Sequence, residues 1–327
     1  MFNRLLAALL LACVSMPMHA APPSPTCIAG ARPGGGFEAT CKLVQAGVAQ
    51  SGLSSAPMRI EYVPGGIGSV AYNTVVGQRA DEAGTLVAFS SGSLLNIALG
   101  RFGRFPPEKV RWVAAVGTDY GAVIVRADAR HATLRELLQA IGREPQAFLC
   151  GGSGNAGSQD WMKCALLARK AGVEPARLRY VAFEGGGQAL TALQAGYVQI
   201  VPGDVSEAVP LMRRGAARVL AVMAPQRLPG EMAGVPTARE QGFELDWIIY
   251  RGVYMGPQVA EADHAWWTAA FDRMLAQPEF ERLRRDSGMY PLALTGAALR
   301  QRVLDDIRRY RELAREFGLQ VPSDRPE

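Results

Sequence analysis

Glycine, serine and amide residues follow a short apolar segment in the middle of the chain, where residues 148–166 read FLCGGSGNAGSQDWMKCAL. The glycines permit a sharp turn, and the first N–H groups of a helix that starts here have no partner within that helix. Because helix N-termini attract anions, this strand, loop and helix predict a binding site for a carboxylate or a phosphate. The side chains that would add hydrogen bonds are Ser153, Asn155, Ser158 and Gln159. A capped helix without a ligand, with Ser158 or Asn155 as its N-cap, is the alternative.

Further loops of this kind follow other predicted strands. They span residues 32–38, 64–66, 90–93, 184–187 and 202–204. In open α/β sheets, ligands bind in the crevice beyond the carboxyl ends of the strands. We therefore expect these loops to line one common cleft.

The elements that must position these loops alternate between strand and helix along most of the chain, which is typical of an α/β fold. The predicted helices are 39–50, 69–76, 94–99, 134–141, 159–171, 189–194, 206–213, 260–275, 278–285 and 297–317. The predicted strands are 27–29, 58–63, 85–89, 110–118, 122–126, 147–150, 178–183, 198–201, 218–223 and 247–254. The chain is predicted to cross twice between two lobes, so that residues 21–119 and 225–327 form lobe 1 and residues 120–224 form lobe 2.

The N-terminus has the pattern of an export signal. Residues 1–20 place Arg4 before an apolar run and end in small residues, and the run is too short to span a bilayer. A lipoprotein anchor at Cys13 is the less favoured alternative, because it would leave an unusually short signal. Loss of Arg4 with the signal lowers the formal net charge from +5 to +4. We expect a periplasmic, mildly basic protein of 327 residues before processing.

Four cysteines remain after the predicted signal, in a compartment where disulfides persist. Their two neighbouring pairs have the same spacing, and each encloses a loop between a strand and a helix. Of the three possible connectivities, the simplest joins Cys27 to Cys41 and Cys150 to Cys164. A metal site is less favoured, because the chain has no Cys-x-x-Cys and few histidines.

Enzymatic and nucleic-acid functions find little support in the sequence. Residues 152–157 match the G-x-G-x-x-G dinucleotide pattern, but no acidic residue follows convincingly at the end of the next strand. A P-loop, a G-x-S-x-G nucleophile elbow and an H-E-x-x-H zinc motif do not occur. The C-terminal arginines alternate with acids at helical spacing, which is typical of a solvated helix face. We expect no cofactor, no nucleic-acid partner and no catalysis.

Several motifs together resemble one family. The segments are CIAGARPGGGFEATC (27–41), YVPGG (62–66), GGSGNAGSQD (151–160) and FEGGGQAL (183–190). They resemble the substrate-binding proteins of tripartite tricarboxylate transporters, also called Bug receptors, over roughly residues 27–318. Family members often have Asp where this chain has Glu38, and more usually Lys where it has Arg32, so its ligand preference can differ.

The resemblance implies a two-lobed periplasmic binding protein fold of α/β class, type II-like, with each lobe a sheet flanked by helices. It implies a receptor, expected to be a monomer, that closes on an organic acid and delivers it to a membrane complex of one large and one small subunit. The predicted ligand-binding residues are Gly35, Gly36, Phe37, Glu38, Ser90, Ser91, Ser93, Ser153, Gly154, Asn155, Ser158, Gln159, Asp160, Gly186, Gly187, Ala189 and Asp204. A secreted enzyme that uses the same cleft and a receptor that feeds a sensor kinase are the alternatives.

Overall fold

The structure, a computed structural model, describes residues 25–33, 36–183 and 185–321. The predicted signal peptide with Cys13, and the loop residue Gly35, lie outside these described residues. The described strands are β1 (Thr26–Ala29), β2 (Arg59–Tyr62), β3 (Thr85–Ser90), β4 (Arg111–Tyr120), β5 (Ala122–Arg126), β6 (Leu149–Ser153), β7 (Arg179–Phe183), β8 (Ala217–Val222), β9 (Ile248–Met255) and β10 (Leu294–Thr295). The α-helices are α1 (Gly36–Gln50), α2 (Ser69–Gln78), α3 (Ser91–Ala98), α4 (Leu134–Arg143), α5 (Gln159–Lys170), α6 (Gly186–Gln194), α7 (Val205–Arg213), α8 (Glu261–Leu275), α9 (Pro278–Asp286) and α10 (Gly296–Glu316).

Six strands form one mixed sheet in the order β10-β4-β9-β3-β1-β2. β1 pairs in parallel with β2 and with β3, whereas the other neighbouring strands run antiparallel. Central strands such as β3, which reads TLVAFS, are apolar on both faces because helices cover the sheet from both sides. α1 and α8 pack on one face, and α3 and α10 pack on the other.

The other described strands form two pairs, β5 with β8 antiparallel and β6 with β7 parallel. Between them the prediction of a strand at 198–201 is wrong in extent. Only single bridges form there, from Ile200 to Cys150 and from Val201 to Ile124. Pro202 comes next and has no N–H to continue a strand ladder. These bridges still connect the two pairs, and α4 to α7 pack around them.

Two backbone segments connect this region to the large sheet, and they lie side by side. The Gly121 N–H donates to the Trp247 carbonyl at 2.9 Å, and the Met223 N–H donates to the Gly121 carbonyl at 2.7 Å. The Trp247 N–H in turn donates to the Met223 carbonyl at 2.8 Å. The segment after Met223 still bonds to β8, since the Val222 N–H donates to the Pro236 carbonyl at 3.0 Å and the Ala238 N–H donates to the Val222 carbonyl at 3.0 Å. The predicted lobe boundaries stay a prediction.

Three helices begin earlier than the sequence predicts. α1 begins at Gly36, α3 at Ser91 and α6 at Gly186, each three residues before its expected start. In α3 the reason is a reciprocal capping box between Ser90 and Ser93, which fixes the first turn. As a consequence, glycine and serine residues expected in loops form the first turns of helices, and their N–H groups are helix N-terminal donors.

The structure confirms the two predicted disulfides. Cys27 in β1 is bonded to Cys41 in α1, and Cys150 in β6 is bonded to Cys164 in α5, with Cα atoms 5.6 and 6.4 Å apart. Each bond therefore fixes a strand to the helix that follows it. Within the described residues, no helix is both long enough and apolar enough to cross a bilayer.

Candidate functional site

Five helices point their N-termini at one cavity of about 130 Å³. They are α1, α3, α5, α6 and α7, which follow β1, β3, β6, β7 and the 200–201 bridges. The described residues that line the cavity are Gly36, Phe37, Ile67, Ser90, Gly92, Asn96, Ser153, Ser158, Gln159, Asp160, Gly186, Asp204, Glu207 and Arg251. Each helix N-terminus carries roughly half a positive charge and several N–H groups without intrahelical partners. The cavity is therefore surrounded by donors that suit an anion.

A buried network of charged side chains lies against this cavity. The Lys163 ammonium, with a side chain that is 0% exposed, lies 2.9 Å from Asp160 and 3.0 Å from Asp204. The Arg251 guanidinium lies 3.2 Å from Asp119 and 3.3 Å from Asp204. Asp204 thus connects the two cations, since one of its oxygens contacts Lys163 and the other contacts Arg251.

Burial dominates the ionisation of this network. Burial and the charge of Asp204 raise the pKa of Asp119, although Arg251 opposes the rise. Burial also raises the pKa of Asp160, against the opposing charge of Lys163. Burial works against the charged form of Lys163, but Asp160 and Asp204 outweigh it and raise the lysine pKa. The cations of the network are therefore firmly protonated and depend on their carboxylate partners.

Glu207 lies at the edge of the same network and is half-buried. Burial, followed by the charges of Asp204 and Asp160, raises the pKa of Glu207 to about 8. The charge of Lys163 opposes this rise without cancelling it. Glu207 therefore changes its protonation state near neutral pH, unlike an ordinary surface glutamate.

Two glycines lie in close contact with charged groups. A Cβ atom on Gly36 would lie 1.9 Å from Nη1 of Arg251, and one on Gly186 would lie 2.3 Å from Oε2 of Glu207. Any larger residue at these positions would displace a charged side chain. Gly187, the next residue in α6, faces open space.

Nine of the predicted site residues line the cavity: Gly36, Phe37, Ser90, Ser153, Ser158, Gln159, Asp160, Gly186 and Asp204. Ser158 is the N-cap of α5, since its hydroxyl accepts a hydrogen bond from the Trp161 N–H at 3.3 Å. The Asp160 side chain accepts a hydrogen bond from the Ser153 N–H at 2.7 Å, which fixes the end of β6 against α5. Ligand binding by these residues stays a prediction.

The other described members of the predicted set do not line the cavity. Ser91 is buried and bonds to the backbone of Ile248 and Tyr250 in β9, and Ser93 belongs to the α3 capping box. Ala189 is buried in the apolar core around α6 and α7. In each case the side chain has a structural partner that the sequence does not reveal.

Four further predicted residues are not among those that line the cavity. Glu38 accepts a hydrogen bond from the Tyr62 hydroxyl at 2.5 Å and pairs with Lys42. Gly154 turns the chain with φ of 76°, and Asn155 beside it is exposed. Gly187 lies on a separate, apolar outer groove beside Phe183 and Tyr197.

Sequence reasoning missed five cavity residues: Ile67, Gly92, Asn96, Glu207 and Arg251. Arg251 had a readable signal, because it is a lone charge in the apolar strand IIYRGVYM. A strand that is covered on both faces of a sheet buries every side chain, so a charge in it requires a partner. Buried charges are often functional. Lys163, inside the mostly apolar half of α5, had a similar signal.

The described residues contain no group of three or more His, Cys, Asp and Glu side chains arranged to hold a metal ion. The acids of the network have Lys163 and Arg251 as their cationic partners instead. The arrangement can bind and orient a small polar molecule.

Known proteins share the fold of this chain. A search of curated protein sequences finds no match. Among solved structures, MatC from Rhodopseudomonas palustris with bound malate is 25% identical, over 89% of this chain and 98% of MatC, with a TM-score of 0.74. The periplasmic binding protein BugD is 16% identical over 91% of this chain and 98% of its own, with a TM-score of 0.78. An R. palustris protein solved with adipate is 19% identical over 92% and 99% of the two chains, with a TM-score of 0.79.

These structures confirm the two-lobed α/β fold of periplasmic binding proteins. The family model described as "Tripartite tricarboxylate transporter family receptor", TctC, matches residues 48–319, which is most of the chain. The family consists of solute-binding receptors and is not a class of enzymes. The chain therefore belongs to the TctC family of receptors for tripartite tricarboxylate transporters.

Proposed function

We propose that this receptor captures one small organic acid, a carboxylate, in the cavity where its five helix N-termini meet, and that it does so without catalysis. It acts as an exported, periplasmic monomer and delivers the acid to a membrane complex of one large and one small subunit. The convergence of α1, α3, α5, α6 and α7 on a cavity of about 130 Å³ carries the proposal.

The donors on the two sides of the cavity have different origins. α1 and α3 start at strands of the large sheet, whereas α5, α6 and α7 belong to the region between the two crossings. A carboxylate at the centre would receive N–H groups from both sides, with the hydroxyls of Ser90 and Ser153 nearby. This arrangement suits an anion held by backbone rather than by a dedicated arginine, because Arg251 already pairs with Asp119 and Asp204.

Binding from both sides also explains how a transporter could distinguish a loaded receptor from an empty one. We propose lobes of 21–119 with 225–327, and of 120–224, that close on the acid. The rotation would bend the hydrogen-bonded crossings at Gly121, Met223 and Trp247. MatC, solved with malate, and the R. palustris protein solved with adipate support the choice of carboxylic acids as ligands.

The test is calorimetry of the mature protein with a panel of C3 to C6 mono-, di- and tricarboxylic acids, with and without hydroxyl or amino groups. The matched variants are Gly36→Ala and Gly77→Ala. A methyl group at residue 36 would meet the Arg251 guanidinium at the cavity wall, whereas a methyl at residue 77, within α2, would meet no atom within 4 Å.

We expect at least one acid to bind with one-to-one stoichiometry, and Gly36→Ala to weaken its binding by tenfold or more, or roughly 1.4 kcal/mol. Gly77→Ala should bind like the wild type, and both variants should keep the wild-type circular dichroism spectrum. Binding of no acid in the panel, or an equal affinity in the folded Gly36→Ala variant, would show that the cavity is not the acid site.

A further inference from the structure

Glu207 and Asp204 have the spacing of a helix cap, but neither side chain caps α7. Asp204 is the N-cap residue and Glu207 occupies the N3 position, which matches the capping-box pattern. Neither side chain makes the capping hydrogen bonds in the structure. Asp119 from β4 bonds to the first turn of α7 instead. Its carboxylate accepts a hydrogen bond from the Ser206 N–H at 3.3 Å and another from the Ser206 hydroxyl at 2.5 Å. Of the two acids of α7, Asp204 pairs with Lys163 and Arg251, and Glu207 is the one left to the cavity that both line.

The charged groups around Glu207 leave it without a cation. Asp204 on its own helix, Asp160 on α5 and Asp119 on β4 are all acidic. The cations of the cavity network are Lys163 on α5 and Arg251 on β9, and each already contacts two of these aspartates. Among the described residues, no hydrogen bond or ion pair reaches the Glu207 carboxylate. Four carboxylates thus share two cations, and Glu207 is the one that is left over.

Gln159 offers a second acceptor to the same cavity. Its amide nitrogen donates to Asp204 at 3.4 Å, which directs the amide oxygen the other way. That oxygen is buried, and no described residue donates to it. A ligand group with several N–H donors and a positive charge would serve both Gln159 and Glu207, and an ammonium group has three such donors.

The first turn of α6 lies directly beside the Glu207 carboxylate. A Cβ on Gly186 would be only 2.3 Å from Oε2 of Glu207, so the carboxylate and the helix N-terminus are immediate neighbours. The helix N-terminus suits a ligand carboxylate, and Glu207 suits a cation next to it. An α-amino acid carries an ammonium and a carboxylate on the same carbon, so it can satisfy both at once.

We propose that Glu207 selects ligands with an ammonium group beside their carboxylate, so that this receptor takes amino acids or closely related zwitterions in preference to amine-free acids. The inference rests on the proposed function and specifies its ligand class. The pKa of Glu207, raised to about 8 by burial and by Asp204 and Asp160, agrees with a carboxylate that lacks its cation in the empty protein.

Glu207 has an alternative role in which ligand binding would exchange a proton in the opposite direction. A protonated Glu207 could instead donate a hydrogen bond to an amine-free carboxylate. Binding of an ammonium favours the ionised form, so a proton leaves and the affinity increases between pH 6 and pH 8. Binding of an amine-free acid favours the protonated form, so a proton is taken up and the affinity falls over the same range.

The experiment measures calorimetric affinities for four pairs of acids that differ by an amino group: propionate and alanine, succinate and aspartate, glutarate and glutamate, and adipate and 2-aminoadipate. Titrations at pH 7.5 in two buffers of different ionisation enthalpy give the number of protons exchanged. The variants are Glu207→Gln and, as a control, Glu231→Gln, which removes the acid of an exposed pair with Arg213.

We expect the best-bound pair to favour its amino member, with proton release, and Glu207→Gln to reduce that preference by about 10- to 100-fold, as for a hydrogen bond to a charged group. Glu231→Gln should leave the preference unchanged. To establish folding, Glu207→Gln should show a higher urea midpoint than the wild type at pH 9, since it removes an unpaired ionised carboxylate, and a similar midpoint at pH 5.

Three results would overturn the proposal. If the amine-free member of the best pair binds as tightly, or with proton uptake, Glu207 does not select an ammonium, and the proposed function stands. An unchanged preference in folded Glu207→Gln assigns selection to other residues, with the same consequence. If no member of any pair and no acid of the wider panel binds, the proposed function fails and this inference falls with it.

Discussion

Replacement of Lys163 by methionine should reveal how much the buried charge network contributes to the fold. Lys163 is fully buried and lies 2.9 Å from Asp160 and 3.0 Å from Asp204, and it also donates to the Gly203 carbonyl at 3.0 Å. Methionine keeps the length of the side chain but removes the charge and the donors. The two carboxylates and the carbonyl would lose their shared partner.

The expected loss follows from the geometry. Removal of one partner of a buried ion pair typically costs about 3–5 kcal/mol, because the remaining charge stays buried without compensation. Arg251 still contacts the other oxygen of Asp204, at 3.3 Å, so Asp160 bears most of the loss. Lys42→Met is the matched control, since Lys42 lies 3.0 Å from Glu38 on a helix but its side chain is 62% exposed. An exposed pair of this kind contributes within about 1 kcal/mol.

The loss of stability in Lys163→Met should be larger at high pH than at low pH. Burial already raises the pKa of Asp160 in the wild type, and removal of the neighbouring charge raises it further. At pH values between the Asp160 pKa in the unfolded chain and its raised pKa in the folded variant, Asp160 is protonated in the folded state and ionised in the unfolded state. Folding is then favoured as the pH falls. The difference between wild type and Lys163→Met should therefore be largest near pH 8 and smaller near pH 5.

The assay is urea unfolding at pH 5 and pH 8, followed by both tryptophan fluorescence and circular dichroism so that coincident transitions can be checked. A loss of less than about 1 kcal/mol at pH 8, equal to that of Lys42→Met, would refute the reasoning. A larger loss at pH 5 than at pH 8 would also refute it. The loss would then not come from burial of the Asp160 carboxylate without its cation.

Two other predictions concern the covalent bonds and the motion. Non-reducing peptide mapping should recover Cys27 linked to Cys41, and the Cys27→Ser, Cys41→Ser double variant should lose on the order of 3 kcal/mol in the free energy of unfolding. A free thiol at either position in the wild type would contradict the pairing. Small-angle scattering should give a smaller radius of gyration once a bound acid, verified by calorimetry, is added, since we propose that the two lobes close. Superimposable curves would instead indicate a preformed cavity.

The strand and helix order was predictable because its signals are local. Alternating apolar runs and glycine-rich turns reveal elements such as β3 and α5 with little help from the rest of the chain. The two disulfides were predictable for the same reason, since each joins a strand to the helix that follows it. The bridges at 200–201 and the short β10 depend on neighbours far away in sequence. Each is only two residues long, which is too short to show a periodic pattern.

The site was predictable where backbone and loops define it and less so where distant side chains meet. Ser153, Ser158 and Gln159 belong to a loop that can be recognised as a helix start. Arg251, Asp119 and Lys163 come from two strands and a helix far apart in sequence, and their meeting depends on the tertiary fold. Glu207 would be interpreted from sequence as a capping residue, and only the position of Asp119 at the start of α7 shows that it is not.

The most direct test of the central claim is native mass spectrometry of the protein prepared from the periplasm, before and after addition of the acid panel. We expect a mass above that of the polypeptide by one small carboxylic acid per chain. The added mass should be lost on denaturation, and the fraction of chains that carry it should be much smaller in Gly36→Ala. A mass equal to that of the polypeptide alone, both before and after the acids are added, would contradict it.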